Sequence, residues 1–63
     1  MTLHTAIKRA ISLHSSTGKL HFVLIDYNQY DEIDYVVANL YDLDTYYQHT
    51  PDSHIKYCSS DAF

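Results

Sequence analysis

Histidine and cysteine are the side chains best suited to hold a metal or pass a proton, and His49, His54 and Cys58 gather near the C-terminal end. Zinc takes imidazole nitrogen and thiolate sulfur, and an ion bound there would stabilise a small core. The set falls short of a site on two counts. Structural zinc takes four ligands at regular spacing, and Pro51 interrupts the stretch so that no single helix aligns these three. Neither a metal nor any other cofactor is expected. Cys58 as a nucleophile would need an imidazole base, an orienting group and an oxyanion donor on rigid elements, which a serine-flanked tail does not supply.

Carboxylates cluster as Asp31, Glu32 and Asp34 and again as Asp42 and Asp44, which raises acid–base work or magnesium binding. Residues two apart on a helix point in different directions, so Asp42 and Asp44 would not converge on one ion there. A helix start and a solvated face account for these acids. His14 continues an apolar stripe with Ile7 and Ile11, a position where a neutral imidazole commonly finds a backbone partner, and His4 and His21 read the same way. The single glycine, Gly18, leaves no room for a glycine-rich phosphate loop, a nucleophile elbow or a dinucleotide fingerprint. The chain is not expected to be an enzyme.

What remains is surface. Tyr27, Tyr30, Tyr35, Tyr41, Tyr46 and Tyr47 are interleaved with Asp26, Asp31, Asp34, Asp42 and Asp44. Tyrosine offers large contact area at low entropic cost, and carboxylates around such rings steer a basic partner surface. The expected partner-binding residues are Tyr35, Tyr41, Tyr46 and Tyr47 with Asp31, Asp34, Asp42 and Asp44. An equal alternative is that half the rings close the domain's own core while the acids keep it in solution.

Elements must position these side chains. Thr2 can cap a helix, and Leu3, Ala6, Ile7, Ala10, Ile11 and His14 recur at helical spacing, which predicts an amphipathic helix over 2–14. Ser15, Ser16, Thr17 and Gly18 supply its stop. The run KLHFVLIDY, 19–27, is branched and aromatic with both alternating faces apolar, as in a central strand covered on each side, although its spacing also tolerates a helix. Asp31 reads as an N-cap for a second helix over 32–48 carrying Ile33, Val36, Val37, Leu40, Leu43 and Tyr47 on one side. The alternation Ile33, Tyr35, Val37 permits a strand instead. Residues 53–63 either add a short strand at 54–57 or stay loosely ordered. The expected architecture is a small α+β single domain, residues 1–63, with an N-terminal helix, one central strand and a second helix; three helices without a sheet is the alternative.

Size bounds the function. At 63 residues a chain buries only about 60% of the surface its unfolded form exposes, and its core supplies roughly 3–5 kcal/mol without a disulfide, metal or partner. One cysteine forms no intrachain bridge, which suits a reducing compartment. The longest apolar run, Phe22 to Ile25, is far short of the roughly 20 residues that span a bilayer, and no signal peptide is recognisable. A cytoplasmic protein without a membrane segment is expected. The net charge of −4 is unevenly spread: Lys8, Arg9 and Lys19 precede residue 20 with no acid among them, and every charged residue from 20 to 55 is acidic. Such asymmetry favours contact between the halves, within one chain or between two. A lone strand cannot satisfy its own backbone groups, so this architecture also predicts a homodimer.

In size and character, on the segments MTLHTAIKRAISLH and DYVVANLYDLDTYYQ, the chain resembles the small accessory proteins encoded in the early regions of temperate lambda-like tailed phages. The resemblance implies a role in host takeover or developmental regulation, exerted by binding a host or phage protein. Some such proteins are acidic inhibitors that imitate DNA. The expectation is therefore a non-enzymatic protein-binding modulator. The alternative is an acidic DNA mimic in which Asp26, Asp31, Glu32, Asp34, Asp42 and Asp44 stand in for phosphates. Direct nucleic-acid binding ranks third, because Lys8, Arg9 and Lys19 give few phosphate contacts beside so many acids.

Overall fold

The computed structural model describes residues 1–27 and 30–63. The order is helix α1 (Leu3–Thr17), strands β1 (His21–Tyr27) and β2 (Ile33–Asn39), helix α2 (Leu40–Thr45), a 3-10 turn at Asp52–His54, strand β3 (Ile55–Cys58) and a closing 3-10 turn at Ser59–Ala62. The fold is α+β, one helix and a three-stranded antiparallel sheet with a second short helix. The sheet excludes the three-helix alternative.

Helix α1 starts where expected, with the Thr2 hydroxyl accepting the Thr5 N–H. It runs past His14 to Thr17 because Ser16 and Thr17 donate their hydroxyls back to the Leu13 carbonyl, at 3.4 and 2.7 Å, within the helical frame. Gly18 then takes φ 72° and returns its N–H to His14, a left-handed cap that a side chain would strain.

The second predicted helix is wrong over its first half. Residues 33–39, IDYVVAN, form β2, and only Leu40–Thr45 is helical. Branched and aromatic side chains pack well on a pleated surface and lose rotamer freedom in a helix. Here that preference is met by cross-strand neighbours, Val23 opposite Val37, Leu24 opposite Val36 and Ile25 opposite Tyr35. Asp31 is not a helix cap; it sits before β2 at φ 59°, a conformation short polar residues tolerate better than most. The cap of α2 is Asn39, whose side chain accepts the Asp42 N–H while the Asp42 carboxylate accepts the Asn39 N–H.

The single-strand architecture is also corrected. Strand β1 lies in the middle, with β2 on one edge and β3, from the C-terminal segment, on the other. Its backbone groups are therefore met within the chain, and the lone-strand reason for a homodimer falls away. Both outer edges are blunted. By alternation the N–H groups of Ile33, Tyr35, Val37 and Asn39 face outward from β2, and two of them are taken: Tyr35 donates to the Met1 carbonyl, Asn39 to Asp42. On β3 a register shift leaves the exposed Lys56 as the extra residue of a bulge, a device that discourages edge-to-edge pairing.

Alternation also explains the two layers. Val23, with Val37 and Tyr57 beside it, faces α1, where Ala6 and Ala10 are fully buried and Ile7 and Tyr35 close the cluster. Leu24 and Ala38 point the other way and are just as buried. In the crossover from β2 to β3, α2 packs against β2 and the first 3-10 turn against β1.

Two alanines let the helix backbone approach the sheet closely. Ala10→Leu should force that contact apart and cost about 1–3 kcal/mol, whereas Arg9→Ala, on the exposed side, should change stability by less than about 0.5 kcal/mol. Thermal melts of the two variants check this, and equal effects would mean that α1 packs by another face.

Candidate functional site

The end of the molecule where β1 turns into β2 is built from side chains that a folding core would be expected to take in. Tyr27 and Ile33 are direct cross-strand partners, and Tyr30 lies in the connection between them. They are 54%, 59% and 72% exposed. Met1 is half exposed and is tied to the same end twice: its ammonium pairs with the Asp34 carboxylate, and its carbonyl accepts the Tyr35 N–H. The ring of Tyr27 meets that of His54 edge-on, centroids 6.4 Å apart. Asp26, Asp31 and Glu32 are exposed around these groups. The result is an apolar, aromatic patch with an acidic rim, and contiguous exposed apolar groups of this kind mark interaction surfaces.

The eight predicted partner-binding residues do not form one surface. Asp31 and Asp34 belong to the hairpin end. Tyr35 packs against the α1 core cluster, and Tyr47 is half-buried. Asp42 is engaged in the α2 cap. Tyr41, Asp44 and Tyr46 are exposed on and just beyond α2. Beside them Lys19, Leu20, Asn39, Leu40 and Tyr41 line a cleft of about 320 Å³. The sequence pattern placed Tyr27 and Tyr30 among the interleaved rings but left them, and Ile33, out of the site. The β1–β2 register puts residues 27 and 33 opposite each other.

The titration of Asp34 is shifted. The Met1 ammonium beside it, then the Tyr35 N–H that it accepts, hold its carboxyl below the usual aspartate range. A carboxylate so favoured adds stability above its unfolded-state pKa and loses that contribution as pH falls through the lower, folded value.

At the opposite end lies a polar arrangement that the sequence did not suggest. Ser59 is fully buried. Its hydroxyl oxygen accepts the His21 backbone N–H at 2.9 Å and lies 2.8 Å from His14 Nδ1, to which its proton is free to go. His21 Nδ1 in turn donates to the Lys19 carbonyl at 2.8 Å. One hydroxyl thus ties α1, β1 and the closing turn together. A serine beside an imidazole has the form of a nucleophile and its base, but Ser59 has no exposed surface from which to meet a substrate. Cys58 is half-buried, its sulfur 3.1 Å from the Ser60 hydroxyl. Among the described residues no group of three or more His, Cys, Asp or Glu is placed to hold a metal, and no helix is long and apolar enough to cross a membrane.

Comparison with protein-family models, curated proteins and solved structures gives no match.

Two outcomes are expected. In urea melts at decreasing pH, Asp34→Asn should be less stable than the parent at neutral pH, with the gap closing as the parent's Asp34 becomes protonated; a gap independent of pH would mean that the ion pair does not form in solution. Ser59→Ala should cost about 1–3 kcal/mol by leaving the buried His21 amide without an acceptor. A Ser59→Ala melt coinciding with the parent's would show that water replaces the hydroxyl.

Proposed function

We propose that this chain is a non-enzymatic binding module of the cytoplasm, which modulates a protein partner by occupying its surface, and that the hairpin end is where it does so. The observation that carries this reading is the exposure of Tyr27, Tyr30 and Ile33, each more than half open to solvent at one end of the sheet. Burying such groups in a partner recovers apolar area that the small core cannot use. The rim of Asp26, Asp31, Glu32 and Asp34 favours a partner with a basic surface, because complementary charge speeds encounter and rejects acidic competitors. The tyrosine faces suit Arg or Lys from that partner. The sole cysteine is free and fits a reducing compartment. The likeness to early phage accessory proteins supports a regulator acting on a host or phage protein.

The second reading is a DNA mimic. It draws support from the exposed acids Asp26, Asp31, Asp44 and Asp52, none of which has a Lys or Arg at ion-pair distance among the described residues. A net charge of −4 is small for that task.

The two separate on one measurement. Immobilised protein should retain a bacterial partner that is lost with Tyr30→Ala or Ile33→Ala and kept with Tyr46→Ala. Duplex DNA should not displace it. Displacement by DNA together with loss in high salt would favour mimicry, and capture indifferent to both hairpin-end substitutions would overturn the assignment of the surface.

A further inference from the structure

The basic and acidic parts of the chain do not neutralise one another in the fold. Among the described residues the one ion pair is that of the Met1 ammonium with Asp34, so Lys8, Arg9 and Lys19 keep their charge for another molecule. The outer side of α1 carries a shallow groove of about 540 Å³ lined by Lys8, Ile11, Ser12, Ser15, Ser16 and Phe63. Ile11 and Phe63 give it an apolar floor, the Phe63 ring being held 4.5 Å from that of His14. Lys8 supplies the one cation in its lining.

Helix α2 presents the complement. Leu40, Tyr41 and Asp44 fall on one side of it, three and four residues apart, and all three are exposed, Leu40 by 52% and Tyr41 by 69%. Leu43, between them in sequence, is half-buried toward the sheet. The short helix thus shows solvent an apolar ridge with a carboxylate one turn along. Helix α1 covers the Val23 face of the sheet, whereas α2 continues β2 and packs against it, so ridge and groove are separate surfaces of one chain.

We infer that the groove along α1 receives the α2 ridge of a second copy, with Leu40 and Tyr41 against Ile11 and Phe63 and Asp44 against Lys8. Because ridge and groove are different surfaces, the proposed contact is head-to-tail: a dimer leaves one groove and one ridge open, and longer assemblies grow with concentration. This contact is separate from the hairpin end and stands or falls independently of it.

Sedimentation equilibrium of the full chain over a wide concentration range tests the contact. The mass should rise above the 7.3 kDa of one chain, and less so in high salt. Lys8→Glu and Asp44→Lys should each weaken association by about tenfold or more, since each sets like charges face to face. An equimolar mixture of the two should restore it, because every contact in an alternating assembly again pairs unlike charges. Lys56→Glu, outside the groove, should leave it unchanged. Circular dichroism checks folding, and if a reversal unfolds the chain, Lys8→Gln and Asp44→Asn should each weaken association, and mixing them should restore dimers but not longer assemblies, through the one contact that again pairs Lys8 with Asp44. A monomer at every concentration, association indifferent to both substitutions, or failure of the reversed pair to rescue one another would overturn the inference.

Discussion

A strand that is apolar on both faces must be covered twice and paired twice, and β1 imposes this condition on everything around it. Val23 needs one cover and Leu24 another. Helix α1 provides the first, and it can do so closely because Ala6 and Ala10 lie at the contact. The chain must also cross from β2 to β3, which lie on opposite sides of β1, and the first 3-10 turn of that crossover packs against β1. Pairing follows the same logic: β2 arrives by a hairpin, and β3 has to be brought back from the C-terminal segment. The element order is thus the shortest way for one small chain to enclose a single hydrophobic strand.

The parts of the fold that were legible in the sequence are those where one period wins. In 2–14 the apolar residues fit a helix and nothing else; in 19–27 the spacing tolerates both periods, and branched and aromatic residues on both alternating faces tip it to strand. Residues 33–39 satisfy two periods at once. Ile33, Val36, Val37 and Leu40 space like a helix, while Ile33, Tyr35 and Val37 alternate like a strand, and no local rule separates them. What decides is β1, whose open edge offers seven residues of pairing, a tertiary reward absent from any short window. The same strand recruits Ile55–Cys58, four residues whose own propensity would not hold them extended.

The candidate surfaces were legible in composition and not in position. Interleaved tyrosine and aspartate announced an aromatic, acidic exterior, but sorting Tyr35, which packs against the core, from Tyr30, which does not, requires knowing which side of β2 meets α1. Treating Asp31, Glu32 and Asp34 as the start of a helix hid the hairpin end, because it placed Ile33 on a buried stripe. Ser59 was beyond reach for another reason. A hydroxyl that accepts the His21 amide across 38 residues of sequence leaves no periodic or compositional trace; His14 was visible only as one more member of an apolar stripe.

The fully buried apolar residues among those described are Ala6, Ala10, Val23, Leu24 and Ala38, three of them alanines. So thin a centre relies on a shell of half-buried groups, Ile7, Tyr35, Val37 and Tyr57, and tyrosine suits that shell because its ring packs inward while its hydroxyl stays wet. Larger side chains that could have thickened the core stand outside it, among them Tyr30, Ile33, Leu40 and Tyr41. A partner that covers them binds only the folded form and stabilises it by about 2.7 kcal/mol at a hundredfold excess over Kd. That is comparable with the ~3–5 kcal/mol expected of a core this size. Occupation of either surface would therefore add stability on the scale of what the fold's own interior supplies.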